Sequence, residues 1–184
     1  NKNTINFIIG GPNKYFKFQQ QTQEKILNEI NFLSNEFKIN VIPSRRTPRG
    51  LIEELSKIDN ENVITFDDLF NPRKYGELLS MGNLQVVTWD SISMISEAIS
   101  SEAGTFLFKF EEKFCPKRYL KFYDKITKLN FAKFYNQNLK PYEISIDEYN
   151  KNLKTKILNK IQSNLRFSSI TVSYTHLRAH ETSF

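Results

Sequence analysis

Leu84-Gln85-Val86-Val87-Thr88-Trp89-Asp90-Ser91-Ile92-Ser93-Met94-Ile95-Ser96-Glu97-Ala98 decides how this chain is read. Residues 84–87 form a short apolar run, the mark of a strand buried on both faces. A polar elbow follows, and then a helical pattern with hydroxyls in its first turn and a carboxylate further along. Unpaired amides at a helix start attract phosphate, and a carboxylate later on the same helix can accept hydrogen bonds from ribose hydroxyls. The arrangement suits a nucleoside diphosphate, with Asp90, Ser91, Ser93 and Glu97 as its residues. The competing reading is that Asp90 or Ser91 is an ordinary helix cap and Glu97 an ordinary surface acid.

Working outward, the same alternation recurs. Short apolar runs predict strands at 5–9, 38–42, 63–66, 84–87 and 105–108. Helical spacing predicts helices at 20–34, 48–58, 72–81, 91–101 and 116–129, with a last long helix from Ile146 or Asp147 to about Leu165. In the first of these Ile26, Leu27, Ile30 and Leu33 share a face; Asn71-Pro72 is a good cap and first-turn pair for the third. Strands alternating with helices of this length predict an α/β fold, an open doubly wound parallel sheet of Rossmann-like type. Ligands bind such sheets at the carboxyl ends of the strands. Four polar segments occupy that edge: 10–14, 44–47, Asp67-Asp68 and 88–93.

The segment Gly10-Gly11-Pro12-Asn13-Lys14 can wrap an oxyanion, since glycines allow close backbone approach and Lys14 supplies a charge. It is neither the dinucleotide fingerprint nor a Walker A loop, and a plain strand-ending turn explains it as well. Ser44-Arg45-Arg46-Thr47-Pro48 is more specific: two arginines able to hold phosphate bidentately and two hydroxyls between a strand and a helix. The alternative is that Thr47 caps the helix and the arginines face water. Taken together, the clusters predict one positively lined cleft.

Other candidates carry less. No residue stands out as a catalytic base, and there is no Ser-His-Asp or Cys-His set. Cys115 before Pro116 reads as incidental. Asp67-Asp68 fits a cap with a solvated neighbour better than a divalent-ion site. Neither a metal nor a resident cofactor is expected. Lys113, Lys117, Arg118, Lys121, Lys125 and Lys128 mix with Phe114, Tyr119, Phe122 and Tyr123, which raises the question of a nucleic-acid surface. The helical spacing of Tyr119 or Leu120, Tyr123 and Ile126 favours an amphipathic helix instead, with its lysines wet and open to peripheral contact with anionic membrane. No nucleic-acid partner is expected.

The 184 residues carry a formal charge of +6 and 39% hydrophobic residues, enough for one real core. The single cysteine excludes an internal disulfide. No apolar run reaches membrane-spanning length and no signal peptide is visible, so a cytoplasmic location is expected, peripheral at the inner face of the membrane. The chain opens on Asn1 with strand-like residues by Thr4, as a fragment or an excised domain would. Residues 171–184, TVSYTHLRAHETSF, resemble translated read-through of a sequencing adapter. A native lobe of 1–170 is expected, followed by a non-native tail that holds both histidines, His176 and His180.

GGPNK at 10–14, SRRTP at 44–48, NPRKYGELL at 71–79, VTWDSISMISEA at 87–98 and KRYLKFYDKITKLNFAKFY at 117–135 resemble, in order and combination, the motifs of one family. It is the plant mitochondrial-fission factor (elongated-mitochondria) family with its bacterial homologues, often labelled nucleoside-diphosphate-sugar epimerases. The resemblance covers roughly residues 4 to 166. It implies the GT-B glycosyltransferase architecture, with this chain as the carboxyl-terminal lobe and the amino-terminal lobe missing. It implies a nucleoside-diphosphate sugar as substrate, its diphosphate at Ser91 and Ser93, its ribose at Glu97, and Gly10-Gly11 in the first loop of the inter-lobe cleft. Two departures stand out: Trp89 replaces a smaller residue and is expected to narrow or stack in the donor site, and Tyr123 stands where a histidine is expected. Sugar transfer to a cell-envelope acceptor is one implied role. A non-catalytic interaction protein, as in plant fission, is the other. The epimerase label fits less well, since no Tyr-x-x-x-Lys pair occurs.

Overall fold

A computed structural model describes residues 3–66, 72–111 and 114–159. Asp67, Asp68, Asn71, Lys113, the far end of the last helix and all of 171–184 lie outside the described residues.

The chain alternates strand and helix as β1 Thr4–Ile9, α1 Gln20–Leu33, β2 Lys38–Pro43, α2 Arg49–Ser56, β3 Val63–Thr65, α3 Pro72–Met81, β4 Leu84–Thr88, α4 Ile92–Ser100, β5 Gly104–Phe108, α5 Lys117–Lys128 and β6 Lys133–Phe134. Six strands form one sheet in the order β3-β2-β1-β4-β5-β6, and every pairing is parallel. This is the doubly wound α/β fold the sequence predicts. The order reverses between β1 and β4, so the topological switch point lies at their carboxyl ends. Right-handed crossovers put α1 and α2 on one face of the sheet and α3, α4 and α5 on the other.

Burial explains the strands. All five residues of β4 and of β5 are buried, as are 5–9 of β1. Parallel strands covered on both faces need continuous apolar runs. Polar side chains interrupt them at Asn6, Asn40, Gln85, Thr88 and Thr105, and the three amides among them are tied by hydrogen bonds. Asn6 Nδ2 donates to the Leu78 carbonyl at 2.8 Å, Asn40 Nδ2 donates to Asn6 Oδ1 at 2.9 Å, and Gln85 Nε2 donates to the Leu79 carbonyl at 2.8 Å. These bonds tie the end of α3 to the central strands. At the edges, β3 is half-exposed and β6 has only two residues, both exposed.

The chain divides into two compact units, Asn1–Ile144 and Ser145–Phe184. The second contains a helix over 146–159, with Thr155 Oγ1 donating to the Lys151 carbonyl at 3.0 Å. Among the described residues no helix is long and apolar enough to cross a membrane.

Candidate functional site

Three loops meet at the switch point, and their contacts are dense. At the end of β1, the Gly10 N–H donates to Thr88 Oγ1 at 2.7 Å and the Gly11 N–H to Asp90 Oδ2 at 3.1 Å. Neither glycine has positive φ. Their requirement is space: a Cβ on Gly10 would run into the Asp90 carboxylate, and one on Gly11 into the Arg46 backbone. From the second loop, Arg46 Nη1 donates to the Gly11 carbonyl at 2.8 Å and Nη2 meets Asp90 Oδ2 at 3.1 Å. Arg46 thus straps the loops after β1, β2 and β4 together.

Asp90 is the centre of this arrangement. It is 1% exposed, and its Oδ1 has no hydrogen-bond partner among the described residues. Burial pushes its carboxyl above the ordinary carboxylate range; the Thr88 hydroxyl, the Gly11 N–H and the Arg46 guanidinium offset part of that rise.

In front of the strap lies a cleft of about 290 Å³ lined by Asn13, Lys14, Tyr15, Arg46, Asp90, Ser91, Ile92, Ser93 and Tyr119. Ser91 is the N-cap of α4, yet its side chain makes no cap bond. Its hydroxyl lies 3.2 Å from that of Ser93. The first-turn amides of α4 therefore keep their capacity to bind an anion. Lys14 is exposed at the rim, with Nζ 5.7 Å from the Tyr15 ring centre.

Not every residue singled out by sequence joins this cleft. Thr47 does not cap α2, whose N-cap is Pro48. Its buried hydroxyl reaches the carbonyls of Ile9 and Gly10 at 2.8 and 2.7 Å, which makes it a lock between loops. Ser44 Oγ accepts the Arg46 N–H at 3.2 Å and shapes the arginine loop. Arg45 is exposed and outside the lining. Glu97 is exposed on α4 outside the lining, and its carboxylate, with burial first, raises the Tyr75 phenol above its ordinary value. Ser93 and Glu97 nevertheless share a helix face, roughly 6 Å apart along the axis.

Trp89 does not enter the cleft. It is 2% exposed and stacks on Tyr123, with centroids 5.4 Å apart and planes at 25°. Its edge contacts to Phe16 and Phe110 complete an aromatic floor. The Tyr123 hydroxyl donates to the Trp89 carbonyl, so the tyrosine standing in the expected histidine position braces the elbow from behind. The expectation that Trp89 narrows the donor site is corrected by this packing: a large indole is held in the core where its area is removed from water.

Sequence reading places Asn13 in the oxyanion loop without a side-chain role, and it misses Tyr15 and Tyr119 at the cleft. Asn13 Oδ1 accepts the N–H groups of Tyr15 and Phe16, and its Nδ2 donates to the Asp90 carbonyl at 3.0 Å. The Gly-Gly-Pro-Asn order carries a signal for it, since asparagine favours such side-chain turns. Tyr15 and Tyr119 meet edge to face at 5.8 Å, a contact between residues far apart in sequence. No group of three or more His, Cys, Asp or Glu among the described residues is placed to hold a metal ion.

An all-parallel doubly wound sheet, with a small polar cleft at its switch point, defines a Rossmann-like α/β domain. The chain belongs to the mitochondrial fission ELM1 family, whose model matches residues 1–159. It is also 27% identical over 140 residues to the uncharacterized protein RP120 of Rickettsia prowazekii (strain Madrid E). That match covers 72% of this chain and 38% of the relative, so the chain spans well under half of the curated protein it matches.

Proposed function

We propose that this chain is the donor-binding lobe of a GT-B-like protein, holding the diphosphate and ribose of a nucleoside-diphosphate sugar that is passed to a cell-envelope acceptor. One observation carries the reading. At the β1/β4 switch point, the α4 N-terminus without a side-chain cap faces the same cleft as Lys14 and Arg46. A helix start and two cations on one concave surface favour a doubly charged anion. The cleft is about 290 Å³, near the lower limit of roughly 300 Å³ for small-molecule sites. It suits a diphosphate better than a whole nucleotide sugar, and the ribose then extends along α4 towards Glu97. The sugar and acceptor would rest against a second lobe, the proposed partner of this one.

The test is calorimetry of uridine, guanosine, cytidine and thymidine diphosphate-sugars, with pyrophosphate as reference, against this chain and the longer protein. Saturable binding of at least one is expected. Arg46→Gln should weaken nucleotide and pyrophosphate alike, by about tenfold for a lost charged hydrogen bond. Glu97→Ala should weaken the nucleotide only. Absence of binding by folded longer protein would overturn the reading, and equal losses for both ligands on Glu97→Ala would remove the ribose assignment.

A further inference from the structure

A second cleft opens at the carboxyl end of β5. It has a volume of about 590 Å³, is lined by Lys25, Phe108, Lys109, Phe110, Glu111 and Tyr135, and shares no lining residue with the cleft at the switch point.

Its chemistry follows from two side chains of α1. Lys25 and Glu29 lie one helical turn apart, the spacing at which opposite charges pair. They do not pair here. Glu29 is buried, and its carboxylate accepts the Tyr135 hydroxyl and, at 3.1 Å, the Gln137 amide. Gln137 has a φ of 65°, a left-handed conformation uncommon for a residue with a side chain. Lys25 Nζ instead donates to the Lys109 carbonyl at 3.3 Å and lies 5.4 Å from the centre of the Phe108 ring. Lys109 Nζ lies 4.9 Å from the Trp89 ring centre. Among the described residues neither lysine is in an ion pair.

Attraction to an aromatic face accounts for each lysine singly. It does not account for two lysines in the lining of one cleft beside three aromatic residues, with the nearby buried carboxylate already satisfied. Glu111 is the one carboxylate in the lining. We propose that this cleft is a second ligand subsite for a phosphate group carried on a planar ring, with Lys25 and Lys109 holding the phosphate and the half-buried Tyr135, backed by the buried Phe108 and Phe110, meeting the ring. The subsite is independent of the nucleotide reading.

Trp89 is the single tryptophan of the chain and lies under Lys109, so its emission reports on the site. Phenyl phosphate titrated into the 184-residue chain, followed by Trp89 fluorescence and calorimetry, should bind saturably and about tenfold more tightly than inorganic phosphate. Lys25→Gln and Lys109→Gln, surface changes checked by unaltered melting, should each weaken it about tenfold, while Lys38→Gln, an exposed change at the start of β2 outside both clefts, leaves it within about twofold. Three results would overturn the proposal: no saturable binding by either method, equal affinity for inorganic phosphate, or no loss on either of the Lys25 and Lys109 variants.

Discussion

Arg46 and Asp90, 44 residues apart in sequence, meet at 3.1 Å through Nη2 and Oδ2, and the same arginine holds the Gly11 carbonyl. The Asp90 side chain is fully buried while that of Arg46 is 38% exposed. The cost of burying the carboxylate therefore falls mainly on Asp90, and a partly wet guanidinium offsets only part of it.

The pH dependence follows. The folded-state pKa of Asp90 is raised, chiefly by burial. Folding then favours the protonated form. Its stabilising contribution is full below the unfolded value of about 3.9 and is lost as pH rises through the folded value. Asp90→Asn stays neutral throughout. Relative to the parent it should gain stability between pH values of about 3.5 and 7.5. Urea unfolding of both proteins at the two pH values measures this; a difference that stays constant, or moves the other way, would show that Asp90 does not titrate as an acid with a raised pKa.

The glycines should respond unequally to a methyl group. At Gly11 the added carbon meets the Arg46 backbone, which cannot step aside. At Gly10 it meets a side chain, that of Asp90. Gly11→Ala is expected to cost more than Gly10→Ala, with overpacking of this kind typically worth about 1–3 kcal/mol. Removing the obstacle should rescue only the second: Gly10→Ala combined with Asp90→Ala should be more stable than the sum of the single losses implies. Unfolding of the two singles and the double is the test, and simple additivity would mean that Asp90 is not the obstacle.

The Trp89–Tyr123 pair is expected to be structural. Tyr123→Phe removes the bond to the Trp89 carbonyl and keeps the stack, at about 1 kcal/mol. Tyr123→Ala leaves a cavity under the elbow, at about 3–5 kcal/mol as for other large aromatics. Urea melts followed by Trp89 emission distinguish the two costs. If phenylalanine proves as damaging as alanine, the hydroxyl rather than the stack holds the elbow.

These residues show what was legible before the structure. The strands near residues 5, 39, 63, 84 and 105 announce themselves because parallel strands must be apolar throughout. β6 does not: two exposed residues, Lys133 and Phe134, make no pattern, and only their pairing with Phe106 and Leu107 defines a strand. Residues 10–14, 44–47 and 88–93 are legible as the binding edge because each follows a strand, and the loops after parallel strands all leave the sheet at its carboxyl edge. Their partners were not legible. That Thr47 reaches back to Ile9 and Gly10, or that Arg46 meets an internal carboxylate, depends on distances that no local propensity encodes. Glu29 is the same kind of case, a charged residue buried on α1 because Tyr135 and Gln137 meet it from far along the chain.

The basic helix α5 yields the last prediction. Its buried residues are Tyr123 and Ile126, and Tyr119 is engaged with Tyr15 and Phe16. Tyr123 has its face stacked on Trp89 and cannot stack a base as single-strand binders require, and the partly exposed Tyr119 lines the cleft rather than a strand-binding groove. Lys117, Lys121 and Lys125 are exposed, while Lys128 is paired with Asp124 at 2.9 Å. We propose a weak contact between these lysines and anionic membrane, with each lysine near such a surface contributing about 1 kcal/mol and screened by salt. Co-sedimentation with anionic liposomes should be measurable at about 0.02 M salt and largely lost at about 0.15 M. Neutral liposomes should not bind, and a Lys117→Gln, Lys121→Gln, Lys125→Gln triple variant should abolish the effect. A single-stranded oligonucleotide titrated in parallel should show no tight binding. Micromolar oligonucleotide affinity that falls on Phe122→Ala, together with no liposome binding at low salt, would replace the membrane contact with a nucleic-acid surface.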